Sequence, residues 1–456
     1  MLRASAVVEK AGIPTVSLIC EGFVGQAKAI APGLGIAGLP VAEIPGHVDG
    51  QSLDELRANL RARTTDAVIG KLTTALTAAE TVEGPSGDSI VMRGGFDEIN
   101  EFFYERQWSD GLPIVPPTPQ SVAAFLEFTD DDPDWVIGVL KPSGSQATVR
   151  NVAINGVMAN CRPEYMPVLI AIAEVLADPG YGVEHSGDTT GGEALIILSG
   201  PVINELDFNC EGGALRDGIR ANTSVGRFLR LYLRNVARSL PGGGDKATFG
   251  NTWRVVLAEN EAACATLGWP PYSVDQGFQS GDNVVTLARF TGGGVVGSIF
   301  GDTPDQIAPY LGDGLVRQAS WEYGFTVGFA PGTYRPLLVL SPIVAKTLAD
   351  AGLSKDEAKA LLFEHARLPA RKLETYIGAW SNLVPGRQTL EALVAAGKAA
   401  PDFAISADPE RLVPIVARAE DIMLVVSGDP LRNNAYAFAS NGMHGYPTSK
   451  RIRLKD

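Results

Sequence analysis

The stretch Ala4–Val16, ASAVVEKAGIPTV, decides how the front of this chain is read. A helical segment ends at Gly12, Ile13-Pro14 turns the chain, and an apolar run begins at Thr15. Helix, glycine and then a buried strand form the second half of a strand–helix–strand unit. The first strand of that unit is expected upstream of Met1. In parallel α/β sheets the loop after such a strand is where ligands and reactive groups sit. The chain therefore reads as a lobe that starts just after its own expected active loop. A sheet lacking a strand exposes an edge that favours pairing with another chain. The expected assembly is a homo-oligomer, a twofold dimer through residues 1–50 in the simplest case.

Outward from that stretch, Thr15–Cys20 and Val41–Ile44 are apolar runs of strand length, and Phe23–Ile30 and Leu53–Leu60 have helical character. The fold class is α/β throughout. Residues 1–81 read as a small, incomplete flavodoxin-like or Rossmann-like lobe and residues 82–95 as a Gly/Ser/Pro-containing linker. Residues 96–456 read as a larger α/β domain, or as two internally duplicated lobes with a boundary near 300–335. Within it, helices are expected over Phe96–Arg106, from Thr118-Pro119 onward, and over Val149–Asn160 and Glu164–Leu176. Ser354–Glu357 is a capping box that opens a helix over Lys355–Arg367, and another helix lies near Leu390–Lys398. Gly242–Gly244 and Gly292–Gly294 fit no phosphate-binding glycine motif and read as flexible loops. Glu193–Pro201, Arg335–Pro342 and Asp421–Pro430 each give an apolar strand ending in Ser and then Pro. Buried strands commonly end in such turns. The alternative is a duplicated lobe whose strand ends face one cleft.

Composition narrows the class. With 456 residues the chain is long enough for two or three cores, and 45% hydrophobic with 20% charged residues is ordinary for a globular protein. The net charge of −14 argues against a nucleic-acid partner, which needs basic patches. Cys20, Cys161, Cys210 and Cys264 form no CxxC pair, so neither a disulfide framework nor a metal site is expected, and residence is taken as cytoplasmic. The most apolar stretch, Pro167–Ala177, is about half a membrane span and contains Glu174, so no membrane partner is expected.

Four constellations could carry chemistry. In RDGIRANTSVGRFLRLYLRNV (216–236) the apolar residues from Val225 to Val236 follow helical spacing, with Arg227, Arg230 and Arg234 on the other face. Asn222 or Thr223 is a natural N-cap, and a helix N-terminus preceded by Arg220 suits an anion. Arg220, Asn222, Thr223, Ser224 and Arg227 are the expected anion-binding group; the plainer reading is a capped helix with a solvated basic face. In VEHSGDTTGGEALIILSG (183–200), His185 is a candidate general base that Glu184 and Asp188 could orient, with Thr189 and Thr190 as binding residues. The plainer reading is a polar turn before a strand.

Asn151 and Asn155 share a helix face, which gives Asn155 a packing or ligand role. Cys161 precedes Arg162, whose charge could lower a thiol pKa; otherwise it is a small buried apolar residue. Glu259 and Glu261 flank Asn260 at a strand-to-helix junction, where Glu259 is a catalytic candidate and dipole compensation is the alternative. ASNGMHGYPTSKRIR (439–453), with His444 between Gly442 and Gly445, reads as a mobile loop that could line a cleft. No HxH or HExxH spacing supports a metal site, and no pattern names a cofactor.

The segments VVEKAGIPTVSLI and EGFVGQAKAIAPGLGIAGLPVAEIPG resemble the N-terminal domain of the UGSC-type thiol/selenoprotein family. Members of that family carry a selenocysteine- or Cys-Gly-Ser-Cys motif on the loop directly before the matching helix. The motif is similar to the selenol and thiol sites of glycine reductase selenoprotein B. The corresponding stretch here is Met1-Leu2-Arg3-Ala4-Ser5, without either cysteine. WSDGLPIVPPT, NGVMANCRPEYMPVLIAI, RANTSVGRFLRLYLRNV, LAENEA and LSKDEAKALLFEHARLPARKL resemble segments of uncharacterised bacterial proteins that partner, or are fused to, that family.

The resemblance implies redox or thiol-linked chemistry. The residues themselves support an enzyme, or an enzyme subunit, acting on a small anionic organic substrate. Two alternatives stand beside it. One is a non-catalytic subunit that docks on a thiol- or selenol-bearing partner in a heteromeric complex. The other is a hydratase or lyase that needs only His and carboxylate acid–base groups.

Overall fold

A computed structural model describes residues 2–31, 34, 36, 38–74, 89–141, 143–241, 243–319, 330–377, 389–440 and 445–455. The fold is mixed α/β, built around a curled half-barrel sheet.

The front unit follows the pattern of its sequence. The helix Leu2–Lys10 ends at Gly12, whose φ of +79° lies in the left-handed region that glycine enters without a Cβ clash. Strand β1 (Ser17–Cys20) then pairs in parallel with β2 (Val41–Ile44), joined through the helix Val24–Ile30. Leu2, Ala6, Ala27, Ala31 and Leu39 form a small core of their own. Of the linker reading, 82–95, residues 82–88 lie outside the described residues, as do residues 75–81 of the front lobe, and residues 89–95 carry no helix or strand.

The large part opens with the helices Phe96–Glu105 and Pro119–Leu126, the second capped by the Thr118 hydroxyl, which accepts from Ser121 N. A hairpin of β3 (Val136–Leu140) and β4 (Ser145–Thr148) leads to the helices Val149–Met158 and Met166–Ala177. The main sheet contains β5 (Glu193–Ser199), β6 (Val256–Ala258), β7 (Val284–Val296), β8 (Leu337–Leu340), β11 (Met423–Val426), β12 (Ala435–Ser440) and β13 (Thr448–Arg451). Their order is β11-β8-β12-β7-β5-β6, with β13 also on β7. β5 and β6 are parallel, as are β8 and β11, and the two pairs meet through antiparallel β7 and β12. A separate small ladder joins β9 (Arg367–Pro369) and β10 (Leu412–Pro414).

Each central strand is buried on both faces, so it reads as a continuous apolar run rather than an alternation. Leu195, Ile197, Leu337, Val339, Met423 and Val425 form one core with Phe290 and Phe438 on one side of the sheet. On the other side, Ala194, Ile196 and Leu198 pack against the helices Val149–Met158, Met166–Ala177 and Arg220–Asn235. Leu338, Leu340, Leu424 and Val426 pack against Pro304–Gln318, Pro342–Asp350 and Lys355–His365. The three strands expected from the repeated Ser-Pro endings, β5, β8 and β11, lie in one shared sheet.

Two loop expectations are corrected. Gly292–Gly294 are part of β7 and pair with Ala439, Phe438 and Ala437 of β12. A Cβ on Gly293 would lie 2.6 Å from the Tyr436 ring and 2.9 Å from the Phe438 ring, so the glycine makes room for aromatic side chains on the neighbouring strand. Thr448–Arg451 is strand β13, not loop; His444 lies outside the described residues. Among the described residues, no helix is long and apolar enough to cross a membrane.

Candidate functional site

A cavity of about 730 Å³ opens at the amino ends of β5 and β6. The front unit supplies one wall: Gly22, Phe23 and Gln26 follow the carboxyl end of β1, the usual place for a ligand in a parallel α/β unit. The opposite wall is built from the turn before β5, with Ser186, Thr189 and Glu193, and from the loop 243–252, with Asp245, Lys246 and Asn251. Arg230 reaches in from the helix Arg220–Asn235.

These loops are tied together by backbone. Lys246 N donates to Gly187 O at 3.0 Å, and Thr248 N and Oγ1 both donate to Thr189 O. Asn251 Nδ2 donates to Gly191 O and Thr291 O, which anchors the loop to β7. A Cβ at Gly187 would sit 2.2 Å from Gly244 O, so this crossing of two loops requires glycine.

Glu193 opens an otherwise apolar strand and is buried. Its Oε1 accepts from Arg230 Nη1 at 3.0 Å and from Ala194 N at 3.0 Å, and Oε2 lies 2.8 Å from the same Nη1. Burial pushes its carboxyl above the ordinary glutamate value, and nearby Asp245 adds to the push; Arg230 and the Ala194 N–H oppose it. Lys246 is half-buried, and its withdrawal from water moves its amine below the ordinary lysine value, with Asp188 pulling the other way. The Lys246 Nζ lies 5.2 Å from the centroid of the Phe23 ring. A protonatable carboxyl, an amine of lowered basicity and a guanidinium thus share one cavity, the arrangement expected of a functional pocket.

The residues selected from sequence are spread over three places. Thr189 lines the cavity. Asp188 Oδ1 accepts from Thr190 Oγ1 and from Gly191 N and Gly192 N, so it builds the turn that presents Glu193. His185 closes the short turn Val183–His185 and is not among the described lining residues.

The expected anion group lies elsewhere on the helix, and its cap is corrected. The helix starts at Arg220, not Ser224, and neither Asn222 nor Thr223 caps it. Asn222 is buried in the first turn: its Oδ1 accepts from Asn209 N, and its Nδ2 donates to Asn209 O and Val256 O. Thr223 Oγ1 accepts from Gly218 N. Arg220 donates to Asn160 O and Oδ1. Arg227 donates from Nη2 to Asp110 Oδ1 at 2.9 Å, from Nε to Oδ2 at 3.1 Å, and from Nη2 to Pro113 O. These donors are engaged within the chain.

Cys161 is buried with the Ser224 side chain beside it. Burial pushes the thiol up to about 12, outweighing Arg220 and Arg227, so the expectation of a lowered thiol pKa is corrected. Asn155 Nδ2 donates to Asn151 O, and its Oδ1 accepts from Asn235 Nδ2, which joins two helices. Glu259 lies beyond the carboxyl end of β6, with Asn260 capping the helix Glu261–Leu267 as the junction implied. It is buried, accepts from Ser199 Oγ and Tyr272 N, and is pushed up by burial. That end of β5 is about 20 Å from Glu193, six residues of strand away. There Asn260 N donates to Val426 O, Ser427 N to Leu340 O and Ser427 Oγ to Ala258 O. The ends of β6, β8 and β11 therefore do converge, but on a buried polar knot; the cavity is at the other end of β5.

Sequence reasoning missed Glu193 and Lys246. The available signal for Glu193 was a lone acid opening the apolar run Ala194–Leu198.

The front of the chain carries a UGSC-family segment: residues 1–74 of 456 match the model of the UGSC family. The same segment supplies Phe23 and Gln26 to the cavity. No curated protein and no solved structure matches the chain significantly.

Proposed function

We propose that the chain is an enzyme that acts on a small organic anion by acid–base chemistry, with Glu193 as the proton-exchanging group. The observation that carries this reading is Glu193 itself: a buried carboxyl, raised in pKa, held by Arg230 at the wall of a cavity sized for a small molecule. Raising a carboxyl toward the working pH lets it both take and give a proton. Arg230 and Lys246 supply positive charge for the substrate's anionic group. Of the expected chemistries, this supports the hydratase or lyase type. No cysteine is among the described residues that line the cavity.

The test is solvent exchange. Small carboxylates such as pyruvate are incubated with the full chain in D2O, and loss of the proton on the carbon next to the carbonyl is followed by NMR. Exchange above the buffer rate that disappears in Glu193→Gln supports the reading. A rate in Glu193→Gln equal to wild type overturns it.

A second reading, a subunit that docks on a thiol-bearing partner, is favoured by Phe249, which stands 98% exposed on the rim of the cavity. Co-elution with a protein bearing the Cys-Gly-Ser-Cys loop, lost in Phe249→Asp, is its expected signature; separate elution of the wild-type pair removes it.

A further inference from the structure

We propose that Lys246 is a nucleophile that forms a covalent imine with a small 2-oxo carboxylic acid bound in this cavity. The proposal rests on the reading of the cavity as a substrate site and names the substrate class and a second catalytic group.

Lys246 is the lysine among the described lining residues; the Phe23 ring lies against its Nζ, and Asp188 is the acid whose charge acts on it. The other half-buried or buried cations near it in character are committed. Lys355 and Lys359 share Asp275, and Arg227 holds Asp110. The root of Lys246 is fixed by its bond to Gly187 O and by Asp245 Oδ1, which accepts from Ala247 N. The Phe23 ring covers one side of the amine. A lysine so placed is partly desolvated, which raises the fraction present as free amine and suits it to carbonyl attack. Arginine is the better permanent anchor for a carboxylate, and Arg230 stands in the same cavity. Its described bonds run from Nη1 alone, leaving Nε and Nη2 donors to grip a substrate carboxylate.

The Nζ lone pair forms a bond to the ketone or aldehyde carbon, and the carbonyl π pair moves to oxygen; the nitrogen then loses one of its protons and the oxygen gains one, giving a neutral carbinolamine. The nitrogen then expels that oxygen as water after a second protonation, leaving a protonated imine. The positive nitrogen draws electrons from a neighbouring C–H bond, and the Glu193 carboxylate accepts the proton. No oxidant or reductant is consumed.

The experiment uses the full chain with glyoxylate or pyruvate and borohydride, which adds hydride to an imine and fixes it as a stable amine. Peptide mapping by mass spectrometry is expected to place the adduct on Lys246, with roughly tenfold less total adduct in Lys246→Arg. Glycolate and lactate, which lack the carbonyl, should give none. Adducts spread equally over lysines in wild type and Lys246→Arg overturn the proposal. Thermal shift with glycolate and lactate separates the two readings. If these ligands stabilise the wild type but not Arg230→Met, while no Lys246 adduct forms, the imine falls and the anion site stands. If nothing binds and nothing is trapped, both fall.

Discussion

Lys246 and Phe23 meet across the cavity, with Nζ 5.2 Å from the ring centroid, and this contact joins the UGSC-family segment to the large part of the chain. Phe23 also tilts against His47 at a ring distance of 5.9 Å, so the aromatic wall is braced from within the front unit. A partly desolvated cation over an aromatic face is worth about 0.5–2 kcal/mol. A double-mutant cycle of Phe23→Leu and Lys246→Met, read by chemical denaturation, should return a coupling in that range. A coupling of zero would mean that the two parts do not meet here in solution.

Glu193 and Arg230 form the pair on which the site depends. Truncating Arg230 leaves a buried carboxylate without its partner. Arg230→Ala should therefore cost about 3 kcal/mol in unfolding free energy at neutral pH. Adding Glu193→Gln to that variant removes the uncompensated charge and should recover most of the loss. Urea melts of the three variants check this; a double variant no more stable than Arg230→Ala would show that the cost lies in lost packing.

Gly293 offers a cleaner test of the half-barrel. Its missing Cβ leaves space for the rings of Tyr436 and Phe438, whereas nothing lies within 4 Å of a Cβ built on Gly292. Gly293→Ala should destabilise by about 1–3 kcal/mol through overpacking, and Gly292→Ala far less. Equal thermal midpoints for the two variants would contradict the packing described for β7 and β12.

The legible parts of this fold were those set by local pattern. EALIILS, LLVL and MLVV read as buried strands because both of their faces are covered, and Ser354 with Glu357 marked a helix start through a capping box that the structure contains. Gly292–Gly294 failed because their partners are rings on β12, far along the chain, and no local rule announces them. The helix at Arg220 failed because Asn222 looks like a cap yet spends its amide on a loop and on β6. The cavity was illegible for the same reason at larger scale: its lining comes from four separated segments. Arg230 was visible only as one arginine on a basic helix face, and Lys246 only as a residue in a glycine-rich loop. The first helix and strand of the front unit were legible because a helix, a left-handed glycine and an apolar run fall within twenty residues.

Glu259 makes the stability of the fold depend on pH. Burial pushes its carboxyl above the ordinary glutamate value, while Lys355 and the hydrogen bonds from Tyr272 N and Ser199 Oγ pull it part of the way back. A carboxyl raised in the folded state binds its proton more tightly there than in the unfolded chain. Its stabilising share is therefore complete below the unfolded pKa, near 4.3 for a glutamate, and is lost as pH rises through the folded value. Glu259→Gln mimics the protonated form at every pH, because its amide oxygen still accepts from Tyr272 and Ser199. Subtracting the stability of Glu259→Gln from that of wild type cancels the similar contribution of Glu193. The difference should fall as pH increases from about 4. Denaturation series from that pH upward measure it directly. A flat difference, or one that rises with pH, would show that Glu259 stays ionised in the folded chain and that Lys355 outweighs its burial.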